Sequence, residues 1–273
     1  MTAWELLKQS SLATGEPEIL LGFLFGKNRE YVLTHSEIGL SPETVKKFKQ
    51  LEKKRLAGWS IAVLVGEKEF YSLSFKVDKN VLVPRPETEM IVDEIIKLQV
   101  ESPLVIDLGT GSGAIIISLA IFSKLNNPEY IGIDISSRAL GIAQQNAQRH
   151  NLLSEINFVR GNLLKPIIAQ LPERNLVITA NLPYLTKKQI ASAPSIQKEP
   201  KLALDGGLDG LKYYRELFIQ LQDIKYKSLY LFIEIDPGQS HKITALTKKY
   251  FPRANYEITK DLAGLDRLLI IKQ

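Results

Sequence analysis

With 273 residues and no cysteine, the chain excludes disulfides and thiolate metal sites, and its length predicts one main domain with a smaller appendage. A hydrophobic content of 45% and a charged content of 24% are those of a soluble globular protein, and the longest strongly apolar stretch, residues 114–122, is too short to span a bilayer. The formal charge of +5 leans only slightly toward an acidic or ribonucleoprotein-associated partner.

The start, Met1-Thr2-Ala3-Trp4-Glu5, lacks the basic region of a signal peptide, so the expectation is a cytoplasmic protein with no membrane contact. Helical spacing runs from residue 1 to about 58 and predicts inward positions at Trp4, Leu7, Ile19, Leu20, Phe23, Leu24, Phe48 and Leu51. Ser41-Pro42-Glu43-Thr44 has the cap, first-turn proline and acid of a helix start. Residues 1–58 are therefore expected to form a small helical domain. Its basic cluster, Lys46, Lys47, Lys49, Lys53, Lys54 and Arg55, reads as the solvated face of a helix rather than a nucleic-acid patch. The pattern then alternates. A linking segment over 59–80 is predicted to hold a β-hairpin, with strands over 61–65 and 70–75 and its turn at Gly66-Glu67-Lys68-Glu69.

Residues 81–273 carry the strand and helix alternation of a doubly wound sheet, which binds ligands at the carboxyl ends of its strands. The rigid segment Val81-Leu82-Val83-Pro84-Arg85-Pro86-Glu87-Thr88-Glu89 leads to a helix over 90–100. A strand over 104–108 feeds the turn Gly109-Thr110-Gly111-Ser112-Gly113 and then a helix from Ala114, a place where a nucleoside cofactor can approach backbone. A second strand ends at Asp134, 21 residues past Gly113, where a carboxylate can accept hydrogen bonds from both hydroxyls of a ribose. Further strands are predicted over 156–159 and up to Ala180. The glycine turn, Asp134, Asn162 and Asn181 all fall at strand ends, so one crevice can hold them. His35, His150 and His241 are too scattered to form a ligand set, and no metal is expected.

Asn181-Leu182-Pro183-Tyr184, at the mouth of the strand ending in Ala180, presents a side-chain carbonyl, a backbone carbonyl and a ring face to one flat object. Two acceptors of this kind hold both hydrogens of a planar NH2 group and leave its nitrogen lone pair directed at an electrophile. Pro183 stiffens the turn, and Tyr184 is expected to pack on the planar group. Gly109-x-Gly111-x-x-Ala114 also satisfies the dinucleotide fingerprint, which sets a dehydrogenase against a methyltransferase. The end of the chain separates them. Strands over 254–259 and 267–271 are too closely spaced for a parallel crossover, so as neighbours they must be antiparallel. A reversed final hairpin on a mostly parallel sheet resembles the topology of S-adenosylmethionine methyltransferases.

On these motifs the chain resembles the release-factor glutamine methyltransferases, also called PrmC or HemK proteins. The likeness runs through the helical start, Gly66 to Tyr71, the segment 83–89, the loop 107–113, Glu199-Pro200, residues 203–210 and the ending 260–267. The segment around Pro84-Arg85-Pro86 discriminates, because the glycine loop is shared among methyltransferases at large. Two positions depart from the family pattern: Leu182 stands where the family has proline, and Asn162 where it has aspartate.

The resemblance implies an α/β fold with a doubly wound, mostly parallel seven-stranded sheet and an antiparallel last strand, over residues 81–273. It also implies methyl transfer from S-adenosyl-L-methionine to the side-chain amide of the glutamine in a Gly-Gly-Gln loop of peptide chain release factors, by a monomer that needs no nucleic acid. Asn181, Leu182, Pro183 and Tyr184 would hold the amide. Gly109, Thr110, Gly111, Ser112 and Gly113 would surround the methionine part of the cofactor, with Asp134 on the ribose and Asn162 and Leu163 at the adenine. Asn181 would border both ligands. Asp107 is read either as support for the cofactor loop or as a structural clamp. Arg85 and Glu89 would wall the methionine site or hold the domains together, and Glu199 and Pro200 would shape a substrate channel. Other substrates stay open: a ribosomal-protein glutamine, or an adenine or cytosine amine, which offers the same planar NH2. A non-catalytic adaptor is the alternative of a different kind, and it would bind cofactor without transferring methyl.

Overall fold

The computed structural model describes residues 1–273, which divide into two compact units: Met1–Glu67 with Ala193–Lys198, and Lys68–Ser192 with Glu199–Gln273. The first unit holds five helices, α1 (Ala3–Lys8), α2 (Glu16–Phe25), α3 (Arg29–Thr34), α4 (Pro42–Leu56) and α5 (Ile61–Val65). Thr2, Asn28, Ser41 and Ser60 cap α1, α3, α4 and α5, each side chain accepting from a first-turn N–H that would otherwise lack a partner. The core is Ala3, Leu6, Leu20, Leu21, Val32 and Phe48. Trp4, Ile19 and Phe23, expected inside, are exposed at 47%, 38% and 45%. The short apolar runs fit two registers on a helix, and packing selects the one that buries Leu6 and Leu21.

Three of the six predicted basic-cluster residues are ion-paired: Lys47 with Glu43, Lys49 with Glu52 and Arg55 with Glu16. Glu52 is buried and also accepts from the Ser10 hydroxyl at 2.6 Å and the Ser11 N–H at 3.0 Å, tying the α1–α2 loop to α4.

Residues 61–65 form a helix, not the expected first hairpin strand. Ser60 caps its start and Gly66, at φ +83°, ends it in a left-handed turn, so local capping overrides the β-branched composition. The hairpin lies one step later: β1 (Glu67–Phe70) and β2 (Leu73–Lys76) join through Tyr71 and Ser72, both at positive φ, as two-residue hairpin turns require. The run read as a single strand over 70–75 thus contains the turn.

The second unit adds α6 (Glu89–Ile95), β3 (Leu104–Leu108), α7 (Ala114–Phe122), β4 (Glu129–Asp134), α8 (Ser137–Arg149), β5 (Ile156–Arg160), β6 (Asn175–Ala180), α9 (Lys187–Ser192), α10 (Lys212–Gln222), β7 (Ser228–Glu234), α11 (Ser240–Tyr250), β8 (Asn255–Lys260) and β9 (Asp266–Lys272). Its seven-stranded sheet has the order β5-β4-β3-β6-β7-β9-β8, parallel except that β9 runs antiparallel to both its neighbours. Alternate residues of one strand feed opposite layers. Leu104, Ile106 and Leu108 pack with α10 and α11, whereas Val105 packs with α6 and α7. No helix is long and apolar enough to cross a membrane.

Glu52→Ala is expected to destabilise the helical unit by about 1–3 kcal/mol, since it removes the buried acceptor shared by Ser10, Ser11 and Lys49. Both tryptophans, Trp4 and Trp59, lie in this unit, so urea unfolding followed by their fluorescence measures the loss.

Candidate active site

The chain reverses direction across the sheet at β3, which pairs β4 on one side and β6 on the other, with Leu108 in register with Ala180 and with Ile133. The segments leaving these strand ends must therefore share one crevice. A cavity open to solvent lies there, and Gly109, Gly111, Asp134, Asn162, Leu163, Asn181, Leu182 and Pro183 all line it.

Asp107, at the end of β3, is buried and clamps the turn. Its Oδ2 accepts from the Thr110 hydroxyl at 2.6 Å and its Oδ1 from the Thr179 hydroxyl at 2.7 Å, joining β3, the glycine turn and β6. Burial pushes its carboxyl up to about 6 against the help of the two hydroxyls. Thr110 and Ser112 are buried, Gly113 caps α7, and Gly109 and Gly111 line the cavity.

The Asp134 carboxylate accepts from the N–H of Gly111 at 3.0 Å and of Ser136 at 2.8 Å, one bond to each oxygen. Burial raises its pKa, and the N–H groups of Ser136, Gly111 and Ile135 oppose that rise. The carboxylate lines the cavity, where it can accept from a ribose diol. Asn162 donates its Nδ2 to Glu216 at 2.7 Å, which leaves Oδ1 as its available acceptor, the group an adenine amino needs. A side chain on Gly109, at φ +70°, would come within 3.3 Å of Leu182 Cδ2, narrowing the space between glycine turn and tetrapeptide. These features fit a nucleoside bearing a cationic amino-acid tail.

At the tetrapeptide, Asn181 Nδ2 donates to Thr88 Oγ1 at 3.0 Å, and Thr88 donates to the buried Glu234 Oε2 at 2.6 Å. Tyr184 OH donates to Glu234 Oε1 at 3.1 Å, and its ring packs against the core rather than lining the cavity. The buried carboxylate of Glu234 thus anchors the Tyr184 hydroxyl directly beside Asn181-Leu182-Pro183. Burial and the adjoining Glu234 hold that hydroxyl well above the usual tyrosine value. Tyr214 OH donates to the Glu234 carbonyl at 2.6 Å, and its 3.4 Å approach to the Leu182 carbonyl is the weaker contact.

Arg85 pairs with Glu199 at 2.6 Å, and Glu89 accepts from the Tyr71 N–H at 2.8 Å, where it secures the hairpin turn. Neither Arg85 nor Glu89 lines the cavity, whereas Pro200 does. Sequence reasoning missed Asn80, Val81 and Leu82 as a cavity wall, and it missed Thr88, Glu216 and Glu234. Glu234 had a visible signal, a lone acid ending an apolar strand as Asp134 does. Glu216 sits within an amphipathic helix and offered none.

The reversed β9 in an otherwise parallel sheet, with a strand-end acid and glycine turn around one crevice, defines an S-adenosylmethionine-dependent methyltransferase. Residues 2–66 match the PrmC N-terminal domain and residues 101–198 a methyltransferase domain. The release factor glutamine methyltransferase of Moorella thermoacetica is 34% identical over 261 residues, which span 93% of this chain and 89% of that protein. That of Enterococcus faecalis is 34% identical over 250 residues, or 90% and 87% of the two chains. The chain belongs to the release factor glutamine methyltransferase family. Among solved structures, the hMettl16 catalytic domain in complex with MAT2A 3'UTR hairpin 6 shares the fold, with a TM-score of 0.55 at 18% identity over 81% of each chain.

Because the folded Asp107 value of about 6 lies above the ordinary 3.8, the folded state holds this proton more tightly than the unfolded chain. Its contribution to stability is complete below about pH 4 and is lost as pH rises toward about 6. Asp107→Asn is expected to lose less stability than wild type across that window, by on the order of 3 kcal/mol, measured by urea midpoints. Parallel pH curves for the two proteins would refute the assignment.

Proposed function

We propose that the chain methylates the side-chain amide nitrogen of the glutamine in the Gly-Gly-Gln loop of peptide chain release factors. The observation that carries this reading is the polarity of the Asn181 amide. The Thr88 hydroxyl spends its single hydrogen on Glu234, so toward Asn181 it can only accept. Asn181 must therefore turn Nδ2 to Thr88, which leaves Oδ1 to accept from a substrate at the cavity rim.

An amide nitrogen is a poor nucleophile because its lone pair is delocalised into the carbonyl. Asn181 Oδ1 and the Leu182 carbonyl accept the two amide hydrogens, fix the nitrogen in the cavity and concentrate electron density on it. The Leu182 carbonyl is a backbone atom, so leucine in place of the family's proline keeps the acceptor. Pro183 holds the turn, and Tyr184 acts from beneath by bracing Glu234. S-adenosylmethionine, when bound, supplies the electrophilic methyl carbon. Asp134 and Asn162 Oδ1 would hold its ribose and adenine, and the proton left on the amide nitrogen passes to water. The reading has the chain act as a cytoplasmic monomer that needs no nucleic acid. Its support is the name and near-full-length coverage of the relatives together with this donor polarity.

The direct test is mass measurement on a co-expressed release factor, with purified rRNA and DNA as parallel substrates. A single methyl on the Gly-Gly-Gln glutamine is expected, and labelling of nucleic acid alone would overturn the reading. Asn181→Ala should abolish transfer while cofactor affinity stays within a few-fold by calorimetry. Equal loss of both would assign Asn181 to the cofactor or the fold. Thr88→Val should lower kcat by on the order of tenfold to a hundredfold through a misoriented Asn181, and Thr88→Ser should restore it.

A further inference from the structure

A second depression adjoins the cavity and shares Leu202 and Tyr213 with it. Its position is fixed by the tetrapeptide itself. Leu185, the next residue, bridges to Asp205, accepting from the Gly206 N–H at 2.8 Å and donating to the Leu204 carbonyl at 3.0 Å. A side chain on Gly206 would come within 2.6 Å of the Pro183 carbonyl, so only glycine lets this floor lie so close beneath the turn. The surface therefore lies within reach of a polypeptide whose side chain enters at Asn181.

The surface is strongly basic. Lys187, Lys188, Lys201 and Lys212 all line it and are all exposed. Several basic residues elsewhere in this unit are neutralised in pairs, as in Lys165–Glu216, Arg174–Glu129 and Lys260–Asp266. The four groove lysines have no such carboxylate partner. Asp205 is the one acid in the groove, and its Oδ1 is taken by the Gly207 N–H at 2.9 Å. Between the lysines stand Leu202 and Leu208, exposed at 51% and 101%.

Building on the proposed glutamine substrate, we propose that this groove docks an acidic, leucine-compatible segment of the release factor, outside the methylated loop. Charge complementarity sets the sign of the partner, and the two leucines select a protein over nucleic acid. A single-stranded nucleic-acid site presents free ring faces for stacking. The aromatic ring here, Tyr213, has the Lys212 ammonium 4.9 Å from its centre. Lysines at a rim act through long-range attraction, which governs capture of the partner and its salt dependence more than the chemical step.

The test uses the full chain and an intact release factor with four substitutions: Lys187→Glu, Lys188→Glu, Lys201→Glu and Lys212→Glu. The KM for the factor should rise by about tenfold with kcat within about twofold, and added salt should raise the wild-type KM but barely move that of the variant. The matching Lys→Arg protein should keep the wild-type KM. Unchanged S-adenosylmethionine affinity in the Glu variant shows that the fold and the neighbouring cavity are intact. An unchanged KM overturns the groove, as does lysine-dependent binding of an RNA oligonucleotide that competes with the factor. Failure of the wild-type enzyme to label any glutamine overturns instead the functional reading beneath it.

Discussion

The parallel pairing of β3 with β6 carries the site, because it sets Leu108 beside Ala180 and obliges the glycine turn and the tetrapeptide to leave the sheet side by side. Neither loop could find the other by local preference. Their separation is set by a ladder of backbone hydrogen bonds and by Asp107, which accepts from Thr110 on one side and Thr179 on the other. A buried carboxylate between two hydroxyls is an expensive element, and its raised pKa records the cost.

Three acids at strand ends do three different things, and surroundings decide which. Asp107 is sealed and serves the backbone around it. Asp134 accepts from backbone N–H groups yet lines the cavity, so it can serve a ligand. Glu234 is buried like Asp107, yet its influence reaches the cavity through Thr88 to Asn181. A donor chain of this sort fixes which end of an amide faces outward without any contact to the substrate, and the same carboxylate holds the Tyr184 hydroxyl.

Capping explains the helical unit's departure from the pattern of its residues. Residues 61–65 are apolar and three of them, Ile61, Val63 and Val65, are β-branched, but Ser60 and Gly66 supply both ends of a helix within a few residues. In the same unit Trp4 and Phe23 are exposed while their neighbours Leu6 and Leu21 are buried. One-residue shifts of this kind are settled by how helices meet. Short apolar runs tolerate either register until a partner surface selects one.

The order of residues alone was enough to define the doubly wound sheet, the reversed last strand, the glycine turn, Asp134 and the strand-end Asn181. Each rests on a local rule: apolar periodicity, turn chemistry, or the length needed for a crossover. Tertiary structure alone decided that Thr110 and Ser112 support the turn from below, that residues 80–82 wall the cavity, and that Glu216 and Glu234 orient Asn162 and Asn181. Those roles depend on hydrogen bonds between residues more than fifty positions apart, or on burial. No local pattern encodes such distances, because they exist only once the sheet has closed its layers around them.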